Sequence, residues 1–147
     1  MARITEVLRL DSRGRLVIPR AMRKSLALKE NSQIMMICDA ENKELKIIPL
    51  PFHEDGQAVV KMKITIRDVA GSLARIANTI AEKKISLLYG ETVVIKKGEE
   101  AEWTVIAPVP EEPMDDLIKY LKEKGGAISV TVEEPTFPAN SDNSEDE

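Results

Sequence analysis

Between residues 61 and 67 the chain alternates strictly: Met62, Ile64 and Ile66 are separated by Lys61, Lys63, Thr65 and Arg67. A period of two predicts a strand with one face in a core. The pattern then turns helical, with Leu73, Ile76, Ala77, Ile80 and Ala81 recurring at steps of three and four after Asp68-Val-Ala-Gly71-Ser72. Apolar runs over Leu87 to Ile95 and Trp103 to Ala107, joined around Gly98, predict two more strands. Pro113 opens a second helix with Met114, Leu117, Ile118 and Leu121 on one face, Gly125 stops it, and Ile128, Val130 and Val132 alternate in a last strand.

This β-α-β-β-α-β order is that of the ferredoxin-like α+β class, a four-stranded antiparallel sheet with both helices on one face. The first fifty residues read differently. Val7 to Asp11 and Arg15 to Ile18 predict two short strands about Ser12-Arg13-Gly14, where Gly14 can take the positive φ of a tight turn. Pro19 suits the first turn of a helix, Met22 and Leu26 give that helix a narrow apolar stripe, and Asn31-Ser32 ends the segment. Gln33 to Asp39 and Glu44 to Pro49 predict two further strands around Glu41-Asn42-Lys43. The expected organisation is a domain over residues 1–50, a linker over 51–57 marked by Pro49 and Pro51, a domain over 58–133, and an acidic tail over 134–147. The tail is poor in large apolar residues and is expected to be disordered.

Composition narrows the chemistry. The 147 residues are 43% hydrophobic but only 3% aromatic, so the core is aliphatic and there is little provision for stacking on unpaired bases. The single cysteine, Cys38, can form neither an internal disulfide nor a thiolate metal site, which fits a reducing, cytoplasmic setting. His53, the single histidine, falls in the linker, so zinc sites and Ser-His or Cys-His catalysis lack parts. No metal, cofactor or enzymatic activity is expected. No apolar stretch approaches the ~20 residues that cross a bilayer, and no membrane association is expected. The formal charge of −4 hides a division: residues 1–50 hold ten Lys and Arg against six Asp and Glu, while residues 51–147 hold eleven against nineteen. A net +4 beside a net −8 marks the first segment as the one to meet a polyanion.

The cations of that segment are spaced rather than blocked together. Arg20, Arg23 and Lys24 stand at i, i+3 and i+4 on the short helix, Arg13 and Arg15 flank the turn, and Arg9 lies on the preceding strand. Groups so placed can neutralise several phosphates at once, with affinity that falls as salt rises. About fifty residues without disulfide or metal are too few for a useful core, so two copies are expected to share one. The run Asp11-Ser-Arg-Gly14-Arg15-Leu-Val-Ile-Pro19-Arg-Ala-Met-Arg23-Lys24-Ser-Leu26 resembles the AbrB/MazE-like (SpoVT-AbrB) swapped-hairpin DNA-binding domain, over roughly the first third of the chain. The resemblance implies an intertwined homodimer, a β-barrel built by exchange of hairpins, with basic residues of both chains along one surface for double-stranded DNA. Leu8 stands where some members have arginine, and Ala27 and Asn31 replace glycines common in the pattern.

In the second module, Asp68, Val69, Ala70, Gly71, Ser72 and Leu73 join a strand to a helix, and Gly71 lets backbone amides face a carboxylate or other anion. With the element order, this stretch resembles an ACT domain over about Val60 to Val132, though Ala70 takes the place of the family's usual proline. The resemblance implies an amino-acid-like effector against residues 68–73, with Leu88 and Tyr89 of a neighbouring chain as walls, and a dimer or tetramer formed through this domain. The expected whole is a homodimeric transcriptional regulator whose DNA affinity answers to a small molecule. An antitoxin-like or scaffold protein whose second domain docks a protein, and a regulatory subunit of an amino-acid biosynthetic enzyme, are the alternatives. The tail can compete with DNA for the basic surface or serve solubility.

Overall fold

A computed structural model of the protein describes residues 3–50 and 58–134; the linker at 51–57 and the tail from 135 onward lie outside the described residues. The chain divides into two compact units, with the boundary between Phe52 and His53.

The second unit is the larger, and its elements follow the hydrophobic periods. They are β3 (Val59–Arg67), α2 (Ser72–Glu82), β4 (Tyr89–Lys96), β5 (Glu100–Pro108), α3 (Met114–Glu123) and β6 (Ser129–Glu133). All neighbouring strands are antiparallel, in the order β4-β5-β3-β6, which is the ferredoxin-like arrangement. Val60, Met62, Ile64 and Ile66 of β3 and Ala101, Trp103, Val105 and Ala107 of β5 line one face, against Ile76 and Ile80 of α2 and Leu117 and Leu121 of α3. The outward residues of β3 are the intervening Lys61, Lys63, Thr65 and Arg67, so one residue in two supplies the core. Thr79 is buried too, and its hydroxyl donates back to the Arg75 carbonyl at 2.8 Å.

Several local expectations for this unit are corrected. Leu73 and Ala81 are exposed rather than core: Leu73 shares the stripe of Ile76 and Ile80 but stands in the first turn of α2, and Ala81 lies off the side of that stripe. Ile128 is likewise exposed and lies before β6, where its amide reaches the Thr65 carbonyl. Leu87 and Leu88 precede β4 instead of belonging to it. The left-handed residue after α3 is Gly126, with φ 74°, not Gly125. Gly125 is there for space: a Cβ would sit 2.6 Å from the Leu121 carbonyl oxygen and against the tip of Ile76.

The first unit holds α1 (Arg20–Ser25), β1 (Ile34–Asp39) and β2 (Glu44–Pro49), the two strands paired antiparallel through a turn at which Lys43 has φ 54°. The two strands expected over Val7 to Asp11 and Arg15 to Ile18 are not formed in the single chain. What remains is a tight turn, with the Asp11 amide on the Arg15 carbonyl at 3.0 Å and the Gly14 amide on the Asp11 carbonyl at 3.2 Å. A two-stranded ribbon with no third element to cover it is marginal, and here the arms have nothing to pack on: Val7 is 98% and Val17 79% exposed. The helix also stops sooner than Asn31. Leu28 donates to the Arg23 carbonyl and Ala27 to the Lys24 carbonyl, a Schellman closure with Ala27 at φ 53° in the usual glycine position. Asn31 takes φ 64°, so both residues that replace glycines adopt glycine's conformation.

Candidate nucleic-acid interface and ligand loop

Every one of the six cations singled out in the first unit, Arg9, Arg13, Arg15, Arg20, Arg23 and Lys24, is exposed. Arg20, Arg23 and Lys24 belong to α1, where Pro19 precedes the first turn with an extended ψ of 145° and the basic Arg23 and Lys24 occupy the last turn. Cations at that end complement the carbonyl pole of the helix. Arg13 and Arg15 belong to the turn, and Asp11 organises it: its Oδ1 accepts the amides of Arg13 and Arg15 at 2.8 and 2.9 Å, and its Oδ2 accepts Arg15 Nε at 2.7 Å. The Arg15 amide, then its side chain, hold the Asp11 carboxyl below the ordinary carboxylate range. Asp11 was not among the residues expected to matter. An Asp three residues before a glycine, at the head of a turn, was the signal that could have found it.

No residue of the first unit among those described is buried, although it carries Leu8, Leu10, Leu16, Val17, Met36 and Leu45 at 45% exposure or more. Apolar surface of this extent on a folded segment is of the kind that marks interaction sites.

In the second unit, Gly71 precedes α2 with φ 87°, the Ser72 amide closes onto the Val69 carbonyl at 3.2 Å and the Arg75 amide onto the Gly71 carbonyl at 2.9 Å. The amides of Val69, Ala70 and Gly71 have no acceptor among the described residues, and these three residues are exposed. The Asp68 carboxylate is turned elsewhere, accepting the Gly98 amide at 2.7 Å at the tip of the β4–β5 hairpin, while the Asp68 amide donates to the Glu99 carbonyl. Leu88 and Tyr89 meet β5 at Ile106, whereas the Asp68 loop meets the chain at Glu99; the seven residues of β5 from Glu100 to Ile106 separate these ends of the sheet by roughly 20 Å. Within one chain the two halves of the expected ligand site are therefore not brought together.

An open groove of about 670 Å³ lies beside that far end, between residues 82–86, from the last residue of α2 onward, and residues 108–112, from the last residue of β5 onward. Lys83 crosses it, 3.2 Å from Glu112 and 4.1 Å above the Tyr120 ring, while the Tyr120 hydroxyl donates to Glu82. That hydrogen bond, with burial and the charges of Glu82 and Glu112, raises the Tyr120 pKa. The cluster braces α2 against α3 with its own charges already paired. No group of His, Cys, Asp and Glu among the described residues could hold a metal ion, and no described helix is long and apolar enough to cross a membrane.

No family model and no curated protein matches the chain. Among solved structures, it is similar to the C-terminal domain of the MgtC protein from Mycobacterium tuberculosis, at 16% identity and TM-score 0.44 over 57% of this chain and 94% of that one. It is also similar to a protein assigned as a glycine cleavage system transcriptional repressor, at 13% identity and TM-score 0.44 over 65% of this chain and 60% of that one. An unknown protein from Galdieria sulphuraria has 12% identity and TM-score 0.45, over 80% of this chain and 91% of that one.

Proposed function

We propose that the protein is a homodimeric, DNA-binding transcriptional regulator, with a swapped-hairpin first unit and a ligand-responsive second unit. The observation that carries this reading is the first unit's combination of exposed apolar arms and exposed cations. Residues 3–50 contain no buried side chain, yet Val7 and Val17 are almost bare. A second copy that laid its own arms over these residues would give both chains an interior, at about 25 cal/mol for each Å² removed from water. The same exchange would double the set of Arg9, Arg13, Arg15, Arg20, Arg23 and Lys24 about a two-fold axis, matching the symmetry of duplex DNA.

For the second unit, the unpaired amides of Val69 to Gly71 at the start of α2 support recognition of a carboxylate-bearing small molecule such as an amino acid. Occupancy changes DNA affinity only if the ligand binds the two states of the dimer unequally. A second reading, in which this unit docks a protein and no metabolite acts, is favoured by β4, an edge strand on which Val93, Val94 and Ile95 are each more than half exposed.

Sedimentation and duplex binding across a salt series test the proposal. The expected result is a dimer whose log affinity falls linearly with log salt, with Arg15→Ala or Arg23→Ala weakening binding and leaving the dimer intact. A stable monomer that ignores duplex DNA at low salt overturns it. Calorimetry against the twenty amino acids separates the two readings of the second unit: heat of binding supports the sensor, silence the docking module.

A further inference from the structure

We propose that Asp11 is a positioning residue for Arg15, fixing the guanidinium so that it reads a two-acceptor base edge and lowering the protein's affinity for DNA of arbitrary sequence. This rests on the DNA-binding reading above. Of the six exposed cations, Arg15 is distinguished among the described residues by a carboxylate partner, at 2.7 Å. The pair is open to solvent, with the two side chains 66% and 39% exposed, so its contribution to stability is small. Its geometry is what matters. Two backbone amides hold Oδ1, so the carboxylate cannot follow the arginine as it moves; the arginine is held by the carboxylate. Engaging Nε on Oδ2 leaves both Nη groups with their hydrogens available, since guanidinium carries its donors in a rigid planar fork.

Two consequences follow for a duplex. An arginine already ordered loses less freedom on docking, and its fork suits the paired O6 and N7 acceptors of guanine in the major groove. The Asp11 charge, fixed on the same turn, meanwhile opposes every phosphate that approaches. Arg13, Arg20, Arg23 and Lys24, without such a partner among the described residues, supply the sequence-independent attraction.

The test compares two duplexes: one enriched from a random pool by the wild-type protein, and a scramble of the same composition. Asp11→Asn keeps an oxygen for the two amides and removes the charge. We expect it to weaken binding to the enriched duplex roughly two- to tenfold while leaving the scramble unchanged or strengthening it up to about fivefold, so that selectivity collapses. In an Arg15→Lys background the same substitution should no longer change selectivity, because the residue that Asp11 orients is gone. Equal shifts on both duplexes, or none, overturn the proposal. A DNA-free measurement runs beside it. Relaxation of the Arg15 Nε–H should report an ordered side chain in the wild type and a mobile one in Asp11→Asn; a mobile wild-type arginine also overturns the proposal. If the wild type binds neither duplex at low salt, the DNA reading falls and the selectivity role with it, while the relaxation result still decides whether Asp11 holds Arg15.

Discussion

The Asp68 carboxylate accepts the Gly98 amide at 2.7 Å, joining the loop ahead of α2 to the tip of the β4–β5 hairpin. Gly98 has φ 77°, so the amide is presented by a turn that a side chain would strain. Asp68→Ala should lower stability by about 1 kcal/mol, the net worth of one hydrogen bond. A thermal melt reads that loss. If the loop binds an effector, the variant should also lose the effector response and keep its DNA affinity.

Gly125 meets a harder limit. A methyl group there would press on the Leu121 carbonyl oxygen, which is backbone and cannot rotate away. Gly125→Ala should cost about 1–3 kcal/mol, as overpacking does in a filled interior. Denaturant unfolding, with an unchanged slope, is the measurement.

Ala27 presents the opposite case. It holds φ 53° where the Schellman closure of α1 favours glycine, and it is exposed, so its methyl group contributes no burial. Ala27→Gly should raise the stability of the first unit by about 1 kcal/mol, relieving the left-handed strain less the added chain entropy. Asn31→Gly should gain less, because asparagine tolerates φ 64° better than alanine tolerates its own angle. Amide hydrogen exchange over residues 20–32 would register both.

Acid should act on the two turns of the first unit at unusually low pH. The amide and then the side chain of Arg15 lower the Asp11 pKa, and the side chain and then the amide of Asn42 lower that of Asp39. A depressed folded-state pKa means that the stabilisation is complete above the unfolded value and is lost as pH falls through the folded one. Both turns should therefore persist to pH values at which an Asp in an unstructured peptide is already protonated. Carboxyl carbon shifts followed by NMR should titrate below that reference.

The second unit was legible in the sequence because each core residue answers to one of two periods: Met62, Ile64 and Ile66 to the strand, Ile76 and Ile80 to the helix. What periodicity could not say is how wide and how long each buried face is, so Leu73, in phase with Ile76 and Ile80 but in the first turn, and Ala81, to the side of them, were expected inside and lie outside. In the first unit, the apolar alternation around Ser12-Arg13-Gly14 reads as two strands, yet the single chain forms only their turn. The pattern records apolar side chains that call for cover and carries nothing about where that cover comes from. The cations could be named from their spacing, whereas the link from Asp11 to Arg15 depends on a turn conformation that charge and spacing alone do not express. Likewise, the motif that singled out Asp68 gave no sign that its carboxylate is spent on Gly98.

On β3, moving the pairing by a single residue would drive Lys61, Lys63 and Arg67 among aliphatic side chains, so mispaired isomers of this central strand are heavily disfavoured. On β4, Val93, Val94 and Ile95 offer apolar groups to both faces, and the pairing with β5 is already irregular between Val94 and Lys96. One sheet thus contains a strand that cannot slide and a strand with little to stop it, and insertions should be tolerated at the rim long before they are tolerated at the centre.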